Sequence, residues 1–93
     1  MAPKTWYLYI LECADTSLYT GITTDLEQRI QAHTSGLGAK YTRGRGPLKL
    51  LYMESLENRS QATRRELQIK KLSRAENKQL IENAQVNSHP TNP

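Results

Sequence analysis

The sequence predicts a small α+β domain, a three-stranded antiparallel sheet flanked by helices in the order β-β-α-β-α-α. Two short apolar stretches separated by a polar turn indicate a β-hairpin. A third apolar stretch follows a glycine-rich segment, and helix-capping residues precede the segments that are predicted to be helices. With 93 residues the chain has the length of one domain, which we assign to residues 1–84, followed by a disordered tail at residues 85–93.

The first two strands are expected to pair through a tight turn. Residues 5–13 (TWYLYILEC) carry largely apolar or aromatic side chains on both faces, which is typical of a central strand. The Asp and Ser side chains of residues 14–17 (ADTS) can hydrogen-bond nearby backbone and therefore favour a turn. Residues 18–22 (LYTGI) complete the hairpin as a second short strand.

A helix is predicted directly after the second strand. Residues 24–27 (TDLE) match a capping box led by Thr24, and Gly36 suits the C′ position after a helix end near residue 34. One face of this helix combines two apolar and two polar side chains, at Leu26, Arg29, Ile30 and His33. Polar groups beside an apolar stripe need partners, so Arg29 and His33 are candidates for a functional site.

The next segment predicts a third strand and a second helix. A glycine-rich loop, residues 36–47, leads into a strand at residues 48–54 (LKLLYME). Cap residues at 58–60 precede a helix over residues 61–72. Its apolar stripe is expected to include Ala62, Thr63, Leu67 and Leu72.

A second capping box predicts the last helix. Residues 73–76 (SRAE) match the box, and the helix that begins there should end near Ala84. Residues 85–93 contain two prolines and one apolar side chain, too few apolar groups to offset the entropy of folding. We therefore expect this tail to be disordered.

The distribution of charge favours a polyanionic partner. Thirteen Lys and Arg residues against nine Asp and Glu residues give a net charge of +4. Residues 36–49 carry four cations and no acid, at Lys40, Arg43, Arg45 and Lys49. Such a segment favours nucleic acid, and a solvated loop is the alternative that charge alone leaves open.

Other features narrow the class of protein. No apolar run approaches the roughly 20 residues of a membrane-spanning helix, and the first residues do not resemble a signal peptide. The single cysteine, Cys13, is expected to pack at a strand end, and its isolation suggests a cytoplasmic protein. Five tyrosines and no phenylalanine imply that some tyrosine hydroxyls have hydrogen-bond partners.

The tyrosines also carry a family resemblance. Tyr7-Leu8-Tyr9, followed after nine residues by Tyr19-Thr20-Gly21, resembles the two-part signature of the GIY-YIG nuclease family. The continuation through residues 21–33, 35–52 and 62–81 is similar to the short single-domain bacterial members (YhbQ/YazA-like). The resemblance covers about residues 5–82 and implies a fold of the GIY-YIG type.

The resemblance implies an endonuclease that hydrolyses phosphodiester bonds in DNA with one divalent metal, Mg²⁺ or Mn²⁺. By position, the implied catalytic residues are Tyr9, Tyr19, Arg29, His33 and Glu66, and Glu66 would hold the metal. Contacts to nucleic acid are expected from Lys40, Tyr41, Arg43 and Arg45. A lone domain has no second module to read sequence, so we expect low specificity, a monomer or weak dimer, no nucleotide cofactor and, from the family, a role in DNA repair.

These residue types suit phosphodiester hydrolysis. A single carboxylate leaves Mg²⁺ most of its waters, and the guanidinium of Arg29 offers a fixed fork of donors to phosphate. Free tyrosine has a pKa of about 10, so a phenolate base at Tyr19 would need a neighbouring cation. His33, a residue type with a reference pKa of about 6.5, is the alternative proton acceptor.

The sequence departs from the family pattern at four positions. Tyr7 replaces a glycine and Thr20 an isoleucine in the signature. Ile22 stands where some members have a lysine, and Lys78, next to Asn77, stands where many have an asparagine. The last two departures weaken the prediction of catalysis and leave the fold prediction intact.

Two other functions stay open from the sequence alone. A non-catalytic nucleic-acid-binding protein on the same fold would keep the basic loop without cleaving its ligand. A protein-interaction adaptor would use Arg29 structurally and Glu66 only as the i,i+4 partner of Lys70.

Overall fold

The computed structural model describes residues 4–35 and 46–88 and confirms the predicted fold class and order of elements. The elements are β1 (Trp6–Glu12), β2 (Leu18–Thr23), α1 (Leu26–Thr34), β3 (Lys49–Leu56), α2 (Arg59–Lys70) and α3 (Arg74–Ser88). The strands form one sheet in the order β2-β1-β3, with both pairs antiparallel. The hairpin and the central position of β1 are therefore as predicted.

The two faces of β1 pack against different helices. Leu8 and Ile10 are fully buried and pack with Ile69 of α2 and Ile81 of α3. The Tyr9 side chain points to the other face, where its hydroxyl meets His33 of α1. The sheet thus lies between α1 on one side and α2 with α3 on the other.

The cap of α1 differs from the prediction. Asp25, not Thr24, is the N-cap, and its carboxylate accepts a hydrogen bond of 3.1 Å from the backbone of Gln28. Asp caps at least as well as Thr, and its negative charge interacts favourably with the helix dipole. Ser35 is the C-cap, so Gly36 would follow at C′, outside the described residues.

The buried face of α2 also differs. Ala62 and Ile69 are fully buried, whereas Leu67, predicted for the stripe, is 55% exposed. Leu67 lies two positions before Ile69, so at 100° per residue the two side chains point about 200° apart and Leu67 points away from the sheet. The helix begins earlier than predicted, after Asn58, whose side chain accepts a hydrogen bond from Gln61.

The start of α3 is built as predicted and is fastened to the hairpin. The Ser73 hydroxyl accepts from the Glu76 amide at 3.1 Å, and the Glu76 carboxylate accepts from the Ser73 amide at 2.8 Å. Arg74 donates to the Thr16 carbonyl at 2.9 Å, which holds the first turn of α3 against the β1–β2 turn. The helix continues to Ser88, beyond the predicted end at Ala84. The domain boundary after residue 84 stays a prediction.

Candidate catalytic site

The β1–β2 hairpin places Tyr9, Tyr19 and Gly21 on one face of the sheet. The register pairs Tyr9 with Gly21 and Leu11 with Tyr19. Because side chains alternate along a strand, the two tyrosines point to the same side as α1. The tyrosine rings lie 6.4 Å apart, measured between their centroids.

Gly21 provides the room that the Tyr9 ring occupies. A Cβ atom built on Gly21 would overlap the Tyr9 hydroxyl and lie 2.7 Å from Tyr9 Cζ. The glycine of the second signature half is thus explained by packing against the tyrosine of the first.

His33 anchors α1 to this face. The Tyr9 hydroxyl and His33 Nε2 form a buried hydrogen bond of 3.0 Å, and the imidazole is 2% exposed. The His33 ring also lies edge-on to the Tyr19 ring, with 5.2 Å between centroids. One imidazole therefore contacts both signature tyrosines.

Arg29 lies one helical turn before His33 and interacts with the same two phenols. A hydrogen-bonding interaction with Tyr9 is the largest cause that raises the pKa of Arg29, and Tyr19 contributes in the same direction. Since a guanidinium only donates, the Tyr9 oxygen accepts from Arg29. The Tyr9 hydroxyl proton is then available to His33 Nε2.

The protonation of the cluster follows from burial and from Arg29. Burial raises the pKa of Tyr9 above 10, although the hydrogen bond from Arg29 opposes the shift. Burial, and then the charge of Arg29, lower the pKa of His33 below 6.5. At neutral pH the cluster therefore holds a neutral phenol at Tyr9 and a neutral imidazole beside a cationic guanidinium.

Glu66 reaches the cluster from α2 electrostatically. Its side chain is 20% exposed, and one carboxylate oxygen lies 3.2 Å from Lys70 Nζ. Its charge is among the causes that raise the pKa of Tyr9, after burial and the charge of Tyr19. The charge of the carboxylate therefore acts on the tyrosine cluster.

An open cleft of about 340 Å³ lies between β2 and the helices α2 and α3. It is lined by Leu18, Tyr19, Thr20, Ile69, Lys70 and Asn77. Tyr19 therefore contacts both the cleft and His33, whereas Tyr9 is only 1% exposed. Of the two signature tyrosines, Tyr19 is the one that a bound molecule can reach.

Asn77, named in the sequence analysis as the neighbour of Lys78, lines this cleft. Lys78 lines a different cleft, with Glu12 and Glu82. The Asn77 amide nitrogen donates to the carbonyls of Leu72 and Ser73, at 3.4 and 3.2 Å, which fixes the orientation of the amide. Its Oδ1 atom is buried without a hydrogen-bond partner among the described residues.

A family model provides the decisive comparison. Residues 5–79 match the GIY-YIG catalytic domain. The chain belongs to the GIY-YIG family. This membership places it in a nuclease superfamily and suggests a nucleic-acid substrate.

Close relatives carry the name UPF0213. A UPF0213 protein of Clostridium perfringens is 58% identical over 80 residues, which is 86% of this chain and 86% of the relative. A UPF0213 protein of Haloquadratum walsbyi is 53% identical over 76 residues, covering 82% of this chain and 85% of the relative. These relatives match the GIY-YIG chain over most of their length.

Two solution NMR structures share the fold. The UPF0213 protein of Bacillus halodurans is 46% identical with a TM-score of 0.57, over 92% of this chain and 88% of that chain. An E. faecalis protein is 38% identical with a TM-score of 0.65, over 99% and 98% of the two chains.

In the parts of our chain that the structure describes, no helix is long and apolar enough to cross a membrane.

The donors near the cleft suit a hard divalent cation held by few protein ligands. Among residues 4–35 and 46–88, no three His, Cys, Asp or Glu side chains gather into a metal-binding cluster. Glu66 offers one carboxylate beside Lys70, and Asn77, whose Oδ1 atom is buried without a hydrogen-bond partner among the described residues, lines the cleft with Lys70. Mg²⁺ accepts such sparse oxygen ligation because it retains several waters.

The basic loop stays a sequence prediction. Lys40, Tyr41, Arg43 and Arg45 lie outside the described residues. The five residues predicted to be catalytic, in contrast, all lie within the described part of the chain. Four form the contacts above, and Glu66 joins them through its charge on Tyr9.

Sequence reasoning missed a polar network that fastens α2 to β3. Arg65 donates to both Glu54 carboxylate oxygens at 2.8–3.0 Å and to Gln68 at 3.1 Å. Tyr52 donates to the same carboxylate. Burial and the hydrogen bond to Glu54 raise the pKa of Tyr52 to about 12. Because Arg65 precedes Glu66, the network holds the turn of α2 that presents Glu66.

Proposed function

We propose that this GIY-YIG protein is a metal-dependent endonuclease that hydrolyses phosphodiester bonds in DNA with low sequence specificity. The observation that carries the proposal is the contact of Arg29 and His33 with both signature tyrosines, beside a cleft that Tyr19 shares with Asn77 and Lys70. This arrangement combines a phosphate-binding fork, a neutral proton acceptor and a nearby carboxylate.

Arg29 binds the scissile phosphate in this proposal. Its planar guanidinium suits phosphate oxygens, and its interactions with Tyr9 and Tyr19 restrict its orientation. A fixed donor aimed at developing negative charge costs little reorganisation during the reaction. Tyr9, buried between Arg29 and His33, acts by positioning these two groups.

The tyrosine–histidine cluster takes up the proton of the attacking water. The water oxygen bonds to phosphorus, the bond to the leaving oxygen breaks, and the leaving oxygen gains a proton from solvent. Tyr19 orients the water at the cleft, and His33 supplies the neutral imidazole of the cluster. The lowered pKa of His33 keeps it able to accept a proton at pH 7.

Glu66 would hold one divalent cation, Mg²⁺ or Mn²⁺. Such an ion supplies charge stabilisation at the phosphoryl oxygens and lowers the pKa of bound water. Asn77, whose Oδ1 atom is buried without a hydrogen-bond partner among the described residues, lines the cleft beside Tyr19. Lys40, Tyr41, Arg43 and Arg45 would contact the backbone and a base of the same DNA.

Cleavage assays on a panel of substrates test the proposal. Single-stranded, duplex and branched DNA and an RNA are incubated with Mg²⁺ or Mn²⁺, and with EDTA. We expect cleavage of DNA that EDTA abolishes and that Glu66→Gln and Arg29→Met reduce about 100-fold or more. Glu82→Gln, an exposed acid on α3, is the matched control and should retain activity. Full metal-dependent activity in Glu66→Gln would refute the assignment.

A nucleic-acid-binding function without cleavage is the second candidate. Glu66 already has an ion-pair partner in Lys70, and Ile22 packs against the core where some family members have a lysine. This function predicts salt-dependent DNA binding in every variant that keeps the basic loop, and intact DNA under all metal conditions.

A further inference from the structure

Lys70 is the partner of Glu66 and is more exposed than the carboxylate that it contacts. Its ammonium lies 3.2 Å from Glu66 Oε2, with the Lys70 side chain 51% exposed and the Glu66 side chain 20% exposed. An i,i+4 pair of this exposure is weak, because solvent screens it and a long side chain must be ordered to form it. The ammonium can therefore leave the carboxylate at little cost.

Lys70 also lines the cleft that holds Tyr19 and Asn77. A lysine ammonium is a compact charge on a flexible four-carbon stem, so it can move between nearby anionic partners. Two kinds of anionic partner suit this side chain. One is Glu66, and the other is an anionic group of a ligand that binds beside Tyr19.

In the described part of the chain, the lining of this cleft contains one cationic side chain, Lys70. Ile22 packs against the hydrophobic core formed with α2 and α3, where it contributes no charge. Arg65, the neighbouring cation on α2, is committed to Glu54 through three hydrogen bonds. Lys70 is thus the α2 cation at the cleft that keeps an exchangeable partner.

We propose that Lys70 alternates between Glu66 when the carboxylate holds no metal and a DNA phosphate beside Tyr19 when a divalent cation occupies Glu66. The inference rests on the proposed function and adds a phosphate-binding residue to it. A divalent cation on Glu66 removes the partner of Lys70 and repels its ammonium. Metal binding and phosphate binding are therefore coupled through one side chain.

Direct Mn²⁺ binding without DNA tests the first half of the exchange. The variants are Lys70→Met, which keeps most of the apolar stem, and Lys71→Met, which removes the same charge from the exposed neighbouring residue at the C-cap of α2. Because Lys70 competes with metal for Glu66, Lys70→Met should bind Mn²⁺ about two- to fivefold more tightly than the wild type. Lys71→Met should match the wild type.

The salt dependence of DNA binding tests the second half. With Ca²⁺ present and the DNA checked to be intact, Lys70→Met should lower the slope of log affinity against log salt by about 0.9, the loss of one phosphate contact to duplex DNA. In EDTA the slope for Lys70→Met should equal the wild-type slope, because Lys70 of the wild type is then paired with Glu66 and contacts no phosphate. Lys71→Met supplies the reference slope under both conditions.

The outcomes separate this inference from the proposed function. If Glu66→Gln abolishes Mn²⁺ binding while Lys70→Met changes neither metal affinity nor slope, the exchange is wrong and the metal site stands. If Glu66→Gln binds Mn²⁺ as the wild type does, the metal site and the exchange both fail. Tighter metal binding in Lys70→Met with a lower slope only in Ca²⁺ supports the exchange.

Discussion

Gly21→Ala tests whether the close packing of the two signature halves builds the site. The added Cβ would overlap the Tyr9 hydroxyl and lie 2.7 Å from Cζ and 3.2 Å from Cε2, inside the 3.4 Å at which ordinary contact begins. Tyr9 is 1% exposed on the central strand, so its ring has little space to move. We therefore expect overpacking, and its first consequence should be a weakened Tyr9–His33 hydrogen bond.

Two opposing contributions determine how Gly21→Ala changes the free energy of unfolding. Overpacking a core costs about 1–3 kcal/mol. Replacing glycine by alanine where the backbone permits it stabilises by about 0.4–1 kcal/mol through the unfolded state. The net effect should be a destabilisation of about 1–2 kcal/mol, or about 5–15 °C in Tm for a domain of this size.

Urea and thermal unfolding of four proteins measure this effect. They are the wild type, Gly21→Ala, Tyr9→Phe and the double variant. Tyr9→Phe removes the hydroxyl that the new Cβ overlaps, so the double variant should recover about 0.5 kcal/mol or more relative to additivity. Gly46→Ala is the control, since a Cβ there meets nothing within 4 Å. A Gly21→Ala protein as stable as the wild type, or strict additivity, would refute the reasoning.

Two further predictions concern charged groups. Arg65→Met should lower the free energy of unfolding by about 1–2 kcal/mol at pH 7 in urea, because it leaves the half-buried Glu54 without its guanidinium. Although burial opposes it, hydrogen bonding to Arg65 lowers the pKa of Glu54 below 4.5, so the loss of stability should shrink as acid protonates Glu54. A pH-independent loss would contradict the ion pair. Burial and then the charge of Arg29 lower the pKa of His33, so below about pH 6.5 the unfolded chain binds a proton that the folded chain does not. The free energy of unfolding should therefore fall as pH drops from 6.5 toward the folded pKa. The same slope of stability against pH in His33→Gln would contradict this.

The fold could be predicted because its signals are local. The apolar runs of the strands, the caps at Asn58 and Ser73 and the polar turn are each set by neighbouring residues. Boundaries and helix faces were less accurate. Leu67 was assigned to the buried stripe of α2 because it is apolar, but Ala62 and Ile69 define the face that meets the sheet.

The family pattern names single candidate residues of the site, but it does not name the groups that support them. The Glu54–Arg65 pair joins two elements across eleven residues, and neither residue carries a motif. Spacing along the chain puts Lys78 at the family position with Asn77 beside it, whereas the start of α3 at Arg74 determines that Asn77 meets the cleft. Lys70 was recognisable as the partner of Glu66, but its second contact with the cleft requires the tertiary structure.

Paramagnetic Mn²⁺ added to isotope-labelled protein tests most directly whether one centre unites metal, tyrosine and arginine. NMR signals of Tyr19, Arg29 and Asn77 should broaden selectively at low Mn²⁺, and Glu66→Gln should abolish this broadening while Glu82→Gln preserves it. Equal broadening in Glu66→Gln, or broadening confined to residues far from Tyr19, would contradict the proposed catalytic centre.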